Sequence, residues 1–438
     1  MTNKISFSIS YKKFSEPEKI EIPTGFHVVY GESGVGKTHF VKSIAGFAIQ
    51  NPSNFYIENV KAPESIQIIF QNPQTQILSH TLESELAFGL ECQTTDLAIL
   101  QNGLEKFKKQ LPFVDNWQRH PASLSGGQME MLNIVTALST KPKLLLIDDG
   151  LSYLNQNLKE YWINWIKKEI SSNCTVIWFT SDYNDLTFGE ISWMLSLSDF
   201  SKISTLPFED LSYNYNHPSG RLRLMIDNIS FAYDDSDSTV IKNWSCDINQ
   251  ARSIGLIGEN GKGKTTLSQL ITKILSLQSG SIDLSIDSKN PSVAMLDQFP
   301  ERMIGPESLE NFISELISNE KLNPHLMKMC INKLKSSQIN WDIIKNESAI
   351  NIPWSTLRMA IIIILSYCNY DVLILDEPTF GMGIKQKLLL SKFLKEIIPN
   401  KYLILISHDV YFIESHCDHI YNLDQQVVSL NDRVLINA

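Results

Sequence analysis

Two short glycine-rich segments have the composition of a phosphate-binding loop, because both fit the pattern Gly-x-x-x-x-Gly-Lys-Thr. In such a loop the glycines let backbone N–H groups wrap phosphates at a helix N-terminus. The lysine reaches the β- and γ-phosphates, and the threonine hydroxyl binds Mg²⁺. The expected chemistry is binding of a nucleoside triphosphate with Mg²⁺. The first loop is Gly31, Glu32, Ser33, Gly34, Val35, Gly36, Lys37 and Thr38, and the second is Gly258, Glu259, Asn260, Gly261, Lys262, Gly263, Lys264 and Thr265, followed by Thr266.

The same companions follow both loops at a nearly constant distance. The two loop lysines are 264 − 37 = 227 residues apart, and a glutamine follows each of them after 34 residues. An aspartate closes a later apolar run in each copy, and here 376 − 148 = 228. Repetition of a whole set of motifs indicates a duplicated domain. The companions are Gln71 and Asp148 in the first copy and Gln298 and Asp376 in the second.

The elements that position these motifs are short, wholly apolar and rich in β-branched residues. Such runs are typical of buried parallel strands, and helical segments lie between them. The pattern therefore predicts an α/β fold with a parallel sheet, twice. The strands before the two loops are predicted at Phe26–Tyr30 and Ser253–Ile257, and further strands at Leu144–Ile147, Val176–Phe179, Val372–Leu375 and Leu403–Ile406.

Domain boundaries follow from the repeat and from a stretch rich in Pro, Asn, Ser and Gly. We predict domain 1 at residues 1–205, a linker at 206–220 and domain 2 at 221–438.

The segment His416–His419 lacks the ligand spacing of a helical metal site, so we interpret it as ordinary surface.

Composition limits the classes of function. Of the 438 residues 43% are hydrophobic, which supports real cores, and the net charge of −10 disfavours a nucleic-acid partner. The apolar runs are far shorter than the roughly 20 residues of a membrane span, and the amino terminus is too polar for a signal peptide. The six cysteines form no CxxC pair and predict reduced thiols. We expect a soluble, intracellular protein.

A further motif, Leu124–Gln128, lies 24 residues before Asp148. Its sequence LSGGQ, between a loop glutamine and a strand aspartate, makes nearly the whole chain resemble the ATP-binding-cassette ATPases. That resemblance implies two tandem P-loop NTPase domains, each with a mainly parallel sheet, flanking helices, a helical subdomain and an N-terminal antiparallel β part. It also implies that the two domains sandwich ATP and Mg²⁺ head to tail, each site taking the signature motif from the other domain.

The resemblance implies a complete site where the domain 2 loop faces the domain 1 signature. There Glu377 is the general base, His408 contacts the γ-phosphate and Gln298 is the Q-loop glutamine. Tyr233 would stack on adenine, or is an ordinary strand aromatic. The signature residues are Ser125, Gly126, Gly127 and Gln128, and the expected Mg²⁺ residues are Thr265, Gln298 and Asp376 here and Thr38, Gln71 and Asp148 in the other site.

The other site keeps its loop Lys and Thr, its Q-loop Gln and its strand Asp, but departs from the family's pattern in four further features. Asp149 stands where the family has Glu, and Ser181 stands where it has His. Asn155 replaces the D-loop aspartate, and the facing signature carries Pro353 and Trp354 in place of Ser and Gly. A base shorter by one methylene is misplaced by about 1 Å, which can lower a rate about 100-fold. We expect ATP binding with slow hydrolysis; the alternative is that Asp149 and Ser181 still support turnover.

The segment Phe70–Glu91 resembles, more narrowly, the ATPases of energy-coupling-factor importers. The segment Glu377–Gly381 also fits that subgroup. The chain departs from it at Gly383, where a D-loop Asp is expected. This implies a subunit on the cytoplasmic face of the membrane, bound to an integral-membrane scaffold and a small capture protein for a vitamin or metal ion. Residues 71–91 and 298–310 would form the groove for the scaffold. The alternatives are a soluble tandem cassette ATPase acting on ribosomes or nucleic acid, which the short linker disfavours, and a regulatory ATPase without transport.

Overall fold

The protein is described by a computed structural model, which describes residues 4–11, 16–48, 54–154, 156–203, 218–233, 239–259 and 261–431. It divides the chain into two compact units. Unit 1 is Met1–Phe208 with Gly381–Ile384, and unit 2 is Glu209–Phe380 with Lys385–Ala438. The predicted linker lies outside the described residues as far as residue 217, so the predicted domain boundaries remain a prediction.

Unit 1 contains two sheets. The three-stranded antiparallel sheet has the order β2–β1–β4, and the six-stranded sheet has the order β5–β6–β7–β3–β8–β9. The larger sheet is parallel except for the pair β8–β9. The strands are β1 Ile5–Ser10, β2 Glu18–Ile22, β3 Phe26–Tyr30, β4 Tyr56–Lys61, β5 Ile66–Ile69, β6 Leu144–Asp148, β7 Thr175–Thr180, β8 Ile191–Leu195 and β9 Phe200–Lys202.

The helices of unit 1 follow its strands as crossover connections or form a helical subdomain inserted between β5 and β6. The sheet packs on one side against the subdomain helices and the helix before β7, and their shared apolar residues form one core. The helices are α1 Lys37–Ile44, α2 Leu82–Glu91, α3 Leu97–Lys108, α4 Gly126–Ser139 and α5 Gln156–Glu169.

Unit 2 repeats this plan. Its antiparallel sheet has the order β11–β10–β13, and its larger sheet has the order β14–β15–β16–β12–β17–β18, parallel except for β17–β18. The strands are β10 Leu222–Ala232, β11 Thr239–Ala251, β12 Ser253–Ile257, β13 Ser279–Ile286, β14 Val293–Leu296, β15 Val372–Asp376, β16 Tyr402–Ile406, β17 His419–Asn422 and β18 Val427–Leu430.

The helical subdomain of unit 2 lies between β14 and β15, at the same place in the order of elements as that of unit 1. Among the helices in the described part of the chain, none combines the length and the apolar character that crossing a bilayer requires. The helices are α6 Lys264–Ile271, α7 Glu301–Ile304, α8 Leu309–Ser318, α9 Met327–Ser336, α10 Trp341–Ile344, α11 Trp354–Tyr367, α12 Ile384–Ile397 and α13 Val410–His416.

The predicted parallel strands are confirmed, to within one residue at each end, because every one of them is buried along its whole length or nearly so. β6, β7 and β3 are neighbours in unit 1, and β15, β16 and β12 are neighbours in unit 2. Since the carboxyl ends of parallel strands lie at one edge of a sheet, the motifs that follow these strands meet there.

The interpretation of His416–His419 as ordinary surface is wrong. His416 and Cys417 are fully buried and Asp418 is nearly so. The ring of His416 contacts the Ser391 hydroxyl at 2.7 Å, and Asp418 accepts the backbone N–H of Arg252 at 2.8 Å. These contacts attach the end of α13 to its own unit, and no group of three or more metal-binding side chains occurs among the described residues.

Candidate nucleotide-binding sites

Both glycine-rich loops have the backbone that a phosphate cradle requires. Gly34 and Gly36 have φ values of 83° and 110°, and Gly261 and Gly263 have 82° and 80°. This left-handed region favours glycine, and α1 and α6 begin directly after Gly36 and Gly263, the last glycine of each loop. The first N–H groups of both helices therefore point into the loop. Asn260 lies outside the described residues.

Each loop lysine folds back across its own loop. Lys264 Nζ donates to the carbonyl oxygens of Gly258 at 2.7 Å and Glu259 at 3.1 Å. Lys37 Nζ donates to the carbonyl oxygen of Gly31 at 2.9 Å. Both ammonium groups are thus held beside the cradle, where a phosphate oxygen can replace a carbonyl as their partner.

The residues around the expected cation fit Mg²⁺. Thr265 Oγ1 donates to Asp376 Oδ2 at 2.7 Å, while the buried Oδ1 of Asp376 has no hydrogen-bond partner among the described residues. Burial, with a smaller contribution from Glu377, raises the pKa of Asp376 to about 7, and the Thr265 hydroxyl opposes the shift. A hard divalent cation would use the available carboxylate oxygen and favour the ionised form. Thr38 and Asp148 form the same hydrogen-bonded pair in unit 1, where burial raises the pKa of Asp148 to about 6.

We expect Asp376→Asn to stabilise the Mg²⁺-free, nucleotide-free protein at pH 8 and not at pH 4. Because the pKa of Asp376 rises from 3.8 to about 7 on folding, the folded state binds more protons between these values. The free energy of unfolding of the wild type therefore falls as the pH rises through this window, by up to about 4 kcal/mol from this group. Thermal melting of both proteins at several pH values measures the difference; an equal gain at pH 4 and pH 8 would contradict the burial argument.

The candidate base of unit 2 lies between two polar partners. Ser407 Oγ donates to Glu377 Oε2 at 2.9 Å, and His408 Nδ1 lies 2.7 Å from Glu377 Oε1. Burial acts to raise the pKa of Glu377, but His408, Lys264 and Ser407 together outweigh it and leave this pKa below its usual value. The carboxylate is therefore ionised at neutral pH, which is the form that accepts a proton from water.

The equivalent residue of unit 1 has the same backbone and different side-chain contacts. Asp149 and Glu377 have φ values of 49° and 50°. The N–H of Asp149 donates to the carbonyl oxygen of Phe179, and that of Glu377 to the carbonyl oxygen of Ile406, both at 2.8 Å. The Asp149 carboxylate, however, lies 3.1 Å from Lys37 Nζ. Its other oxygen accepts both the N–H and the hydroxyl of Ser181, at 2.7 and 2.9 Å. Asp149 is thus paired with its own loop lysine, whereas Glu377 is not.

The two predicted signature segments differ in local structure. Ser125 caps α4 in a reciprocal box with Gln128, so Gly126 and Gly127 form the first turn of that helix. In unit 2, Pro353 precedes α11 without a capping side chain. Trp354 is 8% exposed and packs edge to face against Phe299 and Phe380, at centroid distances of 5.9 and 5.4 Å. An indole therefore fills the place that a glycine would leave open.

Three further predicted residues closely follow strands. Gln71 and Gln298 are half-buried just after β5 and β14. Tyr233 follows β10, and its hydroxyl lies 3.0 Å from Thr266 Oγ1 on the loop helix α6. With 41% of its surface exposed, its ring has a face available for adenine. Asn155 lies outside the described residues.

Two residues of interest were not predicted from the sequence. Tyr11 follows β1 as Tyr233 follows β10, and its ring packs against Phe55 at 6.2 Å, which makes it the candidate aromatic of unit 1. Arg358 is fully buried on α11 and donates to the carbonyl oxygens of Glu377 and Gln298. The signal for Arg358 was present, because it is a single charge within the otherwise apolar segment Leu357–Leu365.

Known proteins resemble this chain in sequence. The family model described as ABC transporter matches residues 21–152 and 241–380, more than half of the chain. A protein of Treponema denticola, predicted to be an ABC transporter ATP-binding protein, is 23% identical over 92% of this chain and 90% of its own length. The energy-coupling factor transporter ATP-binding protein EcfA1 of Streptococcus mutans is 30% identical over 43% of this chain and 75% of its own.

Solved structures show the same fold. A model of ribosome-bound archaeal Pelota and ABCE1 matches with a TM-score of 0.63 and 17% identity, over 91% of this chain and 72% of that one. An RNase-L inhibitor matches with a TM-score of 0.55 and 16% identity, over 91% of this chain and 84% of that one. At this identity the match concerns the fold alone. By its two matched segments, the chain belongs to the ABC transporter family and is an ATPase with two such domains in tandem.

Proposed function

We propose that this chain is the ATP-hydrolysing subunit of a membrane importer of the energy-coupling-factor type, which takes up a vitamin or a metal ion. Its two domains bind ATP and Mg²⁺ head to tail. One site, formed by the domain 2 loop and the domain 1 signature, hydrolyses ATP. The other, formed by the domain 1 loop and the domain 2 segment with Trp354, binds ATP and hydrolyses it slowly.

The observation that carries the asymmetry is the different pairing of the two candidate bases. Glu377 is ionised and contacts His408 and Ser407, which leaves Lys264 to the phosphates. Asp149 instead forms a buried ion pair with Lys37, so its carboxylate is directed at the loop rather than at an attacking water. The losses in base, switch residue and facing signature all belong to one composite site.

Hydrolysis in the competent site follows from the roles of its own residues. Glu377 accepts a proton from the attacking water, and Lys264 and the loop N–H groups hold the phosphates in line. Thr265 would bind Mg²⁺ with Asp376 behind it, and bound Mg²⁺ would offset negative charge on the phosphate oxygens. Ser125 and Gly127, from the other domain, would close the site over the γ-phosphate.

An open pocket of about 280 Å³ beside the Q-loop of unit 1 supports a membrane partner. Its apolar lining includes Ile77, Leu78 and Met129, and Leu78 is 69% exposed. Hydrogen bonds hold the loop that carries Leu78. The Gln76 side chain accepts the Phe70 N–H and donates to the Ile68 carbonyl oxygen, and Glu85 accepts the N–H groups of Leu78 and Ser79. A preformed groove with both apolar and polar lining residues suits an amphipathic helix of a scaffold protein. Its lining residues from Gln74 to His80 belong to the segment that resembles the importer ATPases.

We expect Leu78→Glu to abolish co-purification with membrane partners and to leave basal ATPase activity within about twofold of wild type, since Leu78 belongs to neither a glycine-rich loop nor the signature motif. The test is purification of the tagged chain from detergent-extracted membranes, followed by identification of the bound proteins. Leu97→Glu is the matched control, because Leu97 is 73% exposed on α3 and does not line the pocket.

Two small hydrophobic proteins should co-purify with the wild type and with the Leu97→Glu control. Co-sedimentation with ribosomes, with no hydrophobic protein bound, would contradict the importer and favour the soluble alternative. A purified chain with neither partner would favour the regulatory ATPase.

A further inference from the structure

The degenerate signature helix of unit 2 contains a buried cation that touches the catalytic loops of its own unit. Arg358 lies on α11 with no exposed surface. Its Nη2 donates to the carbonyl oxygen of Gln298 at 2.6 Å, and its Nη1 donates to the carbonyl oxygen of Glu377. One side chain therefore joins the Q-loop to the residue assigned as the general base.

The contact with Glu377 fixes a backbone that is strained. Glu377 has a φ of 50°, in the left-handed region that non-glycine residues rarely adopt. Its N–H donates to the Ile406 carbonyl oxygen at 2.8 Å, and its own carbonyl oxygen accepts from Arg358. Such strain persists only where surrounding contacts hold it. Both peptide groups of Glu377 are held here, so the direction of its side chain is set by β16 on one side and by α11 on the other.

Aromatic rings hold the guanidinium in turn. The Arg358 guanidinium carbon lies 5.2 Å from the ring centre of Phe380 and 5.8 Å from that of Trp354. Trp354 also packs on Phe299, the residue after Gln298. The tryptophan that replaces the signature glycine is thus part of a clamp on the Q-loop and on the segment after the base. We name Arg358, Trp354, Phe299 and Phe380 the α11 clamp.

The equivalent position of domain 1 carries an acid instead of an arginine. Glu130 occupies the position of Arg358, since 148 − 130 and 376 − 358 both equal 18. Glu130 is an acceptor, and it receives the N–H of Tyr153 at 3.2 Å. Its side chain accepts backbone N–H groups of residues 151–153, whereas Arg358 donates to carbonyl oxygens. The arginine therefore occurs only in the unit whose base we assign to hydrolysis.

We propose that Arg358 is a positioning residue for ATP hydrolysis: it sets the backbone of Glu377 and Gln298, and Trp354 keeps it in place. The segment that lost its signature function is used to order the base of the competent site. This inference rests on the proposed role of Glu377 as general base. It requires no membrane partner, so it is tested on the purified chain.

The test compares Arg358→Met and Arg358→Lys with wild type in steady-state ATPase assays and in equilibrium binding of a fluorescent ATP analogue. Arg358→Met should lower kcat about 10- to 100-fold, because misplacement near 1 Å has effects of this size. The Kd for the analogue should stay within about threefold, since the P-loop is untouched. Arg358→Lys, which keeps one donor, should recover part of kcat.

Arg252→Met is the matched control. Arg252 is also buried, donates to the carbonyl oxygen of Ile398 at 2.5 Å and lies 4.2 Å over the ring of Tyr402. It precedes β12, at the edge of the sheet opposite the loop. Its loss should lower the melting temperature as Arg358→Met does, with kcat within about twofold of wild type.

A double variant separates positioning from general weakening. If Arg358 acts through Glu377, Arg358→Met added to Glu377→Gln should cause no further loss of activity, whereas unrelated effects multiply. An unchanged kcat in Arg358→Met, or multiplicative losses, would overturn the proposal. Should Arg358→Met not fold, an unchanged kcat in both Arg358→Lys and Trp354→Phe overturns it equally. An active Glu377→Gln would overturn the base assignment, and this inference with it.

Discussion

Glu377→Gln is expected to lower the steady-state ATPase rate of the whole chain by at least about 100-fold, the lower end of the range for loss of a general base. The amide has nearly the same shape and can still accept the Ser407 hydroxyl, which now bonds Glu377 at 2.9 Å. It cannot take a proton from water. Phosphate release at saturating ATP and Mg²⁺ measures the loss, and ATP binding should be retained.

The matched control for this experiment is Asp149→Asn at the equivalent position of domain 1. Its carboxylate contacts Lys37 and Ser181, and we expect the variant to keep more than half of the wild-type rate. The opposite pattern, with Glu377→Gln active and Asp149→Asn inactive, would show that hydrolysis belongs to the domain 1 loop.

Ser125→Asp is expected to abolish ATPase activity although it lies in domain 1, outside the loop and base of domain 2. Ser125 accepts the N–H of Gln128 as the cap of α4, and aspartate is an equally good cap. The fold should therefore be kept. In the proposed head-to-tail site this position faces the γ-phosphate, so a carboxylate would repel it and lower the rate at least about 100-fold. The measurement is the rate of phosphate release together with the melting temperature.

Ser308→Asp controls for the substitution itself. Ser308 caps α8 by accepting the N–H of Asn311 at 3.2 Å, and it belongs to neither of the two proposed nucleotide sites. We expect wild-type activity and stability within error. If Ser125→Asp were as active as Ser308→Asp, the domain 1 signature would not face a hydrolysed nucleotide, and the composite site would have to be abandoned.

The elements whose formation depends on local sequence were predictable. The apolar runs before the loops form buried strands because their neighbours in the sheet cover both faces. The loops themselves follow from glycines that permit positive φ at Gly34 and Gly261. Repetition at a fixed distance then indicated two domains of one fold.

The contacts between side chains were not predictable, because they join residues far apart in the chain. The sequence indicated that the Asp149 side chain is too short to act as the base. It did not indicate that Asp149 pairs with Lys37, which lies 149 − 37 = 112 residues earlier in the chain. It indicated that Trp354 replaces a glycine, but not that its ring supports Arg358. Burial of His416 was missed because a polar segment at the end of α13 found partners within unit 2.

The central claim is that one site hydrolyses ATP while the other retains it. Vanadate arrests a hydrolytic ATPase site after one turnover with ADP in place, so the nucleotides extracted from the arrested chain report what each site has done. We expect one ADP and one ATP per chain in the wild type, and no trapped ADP in Glu377→Gln. Two ADP per chain would contradict it.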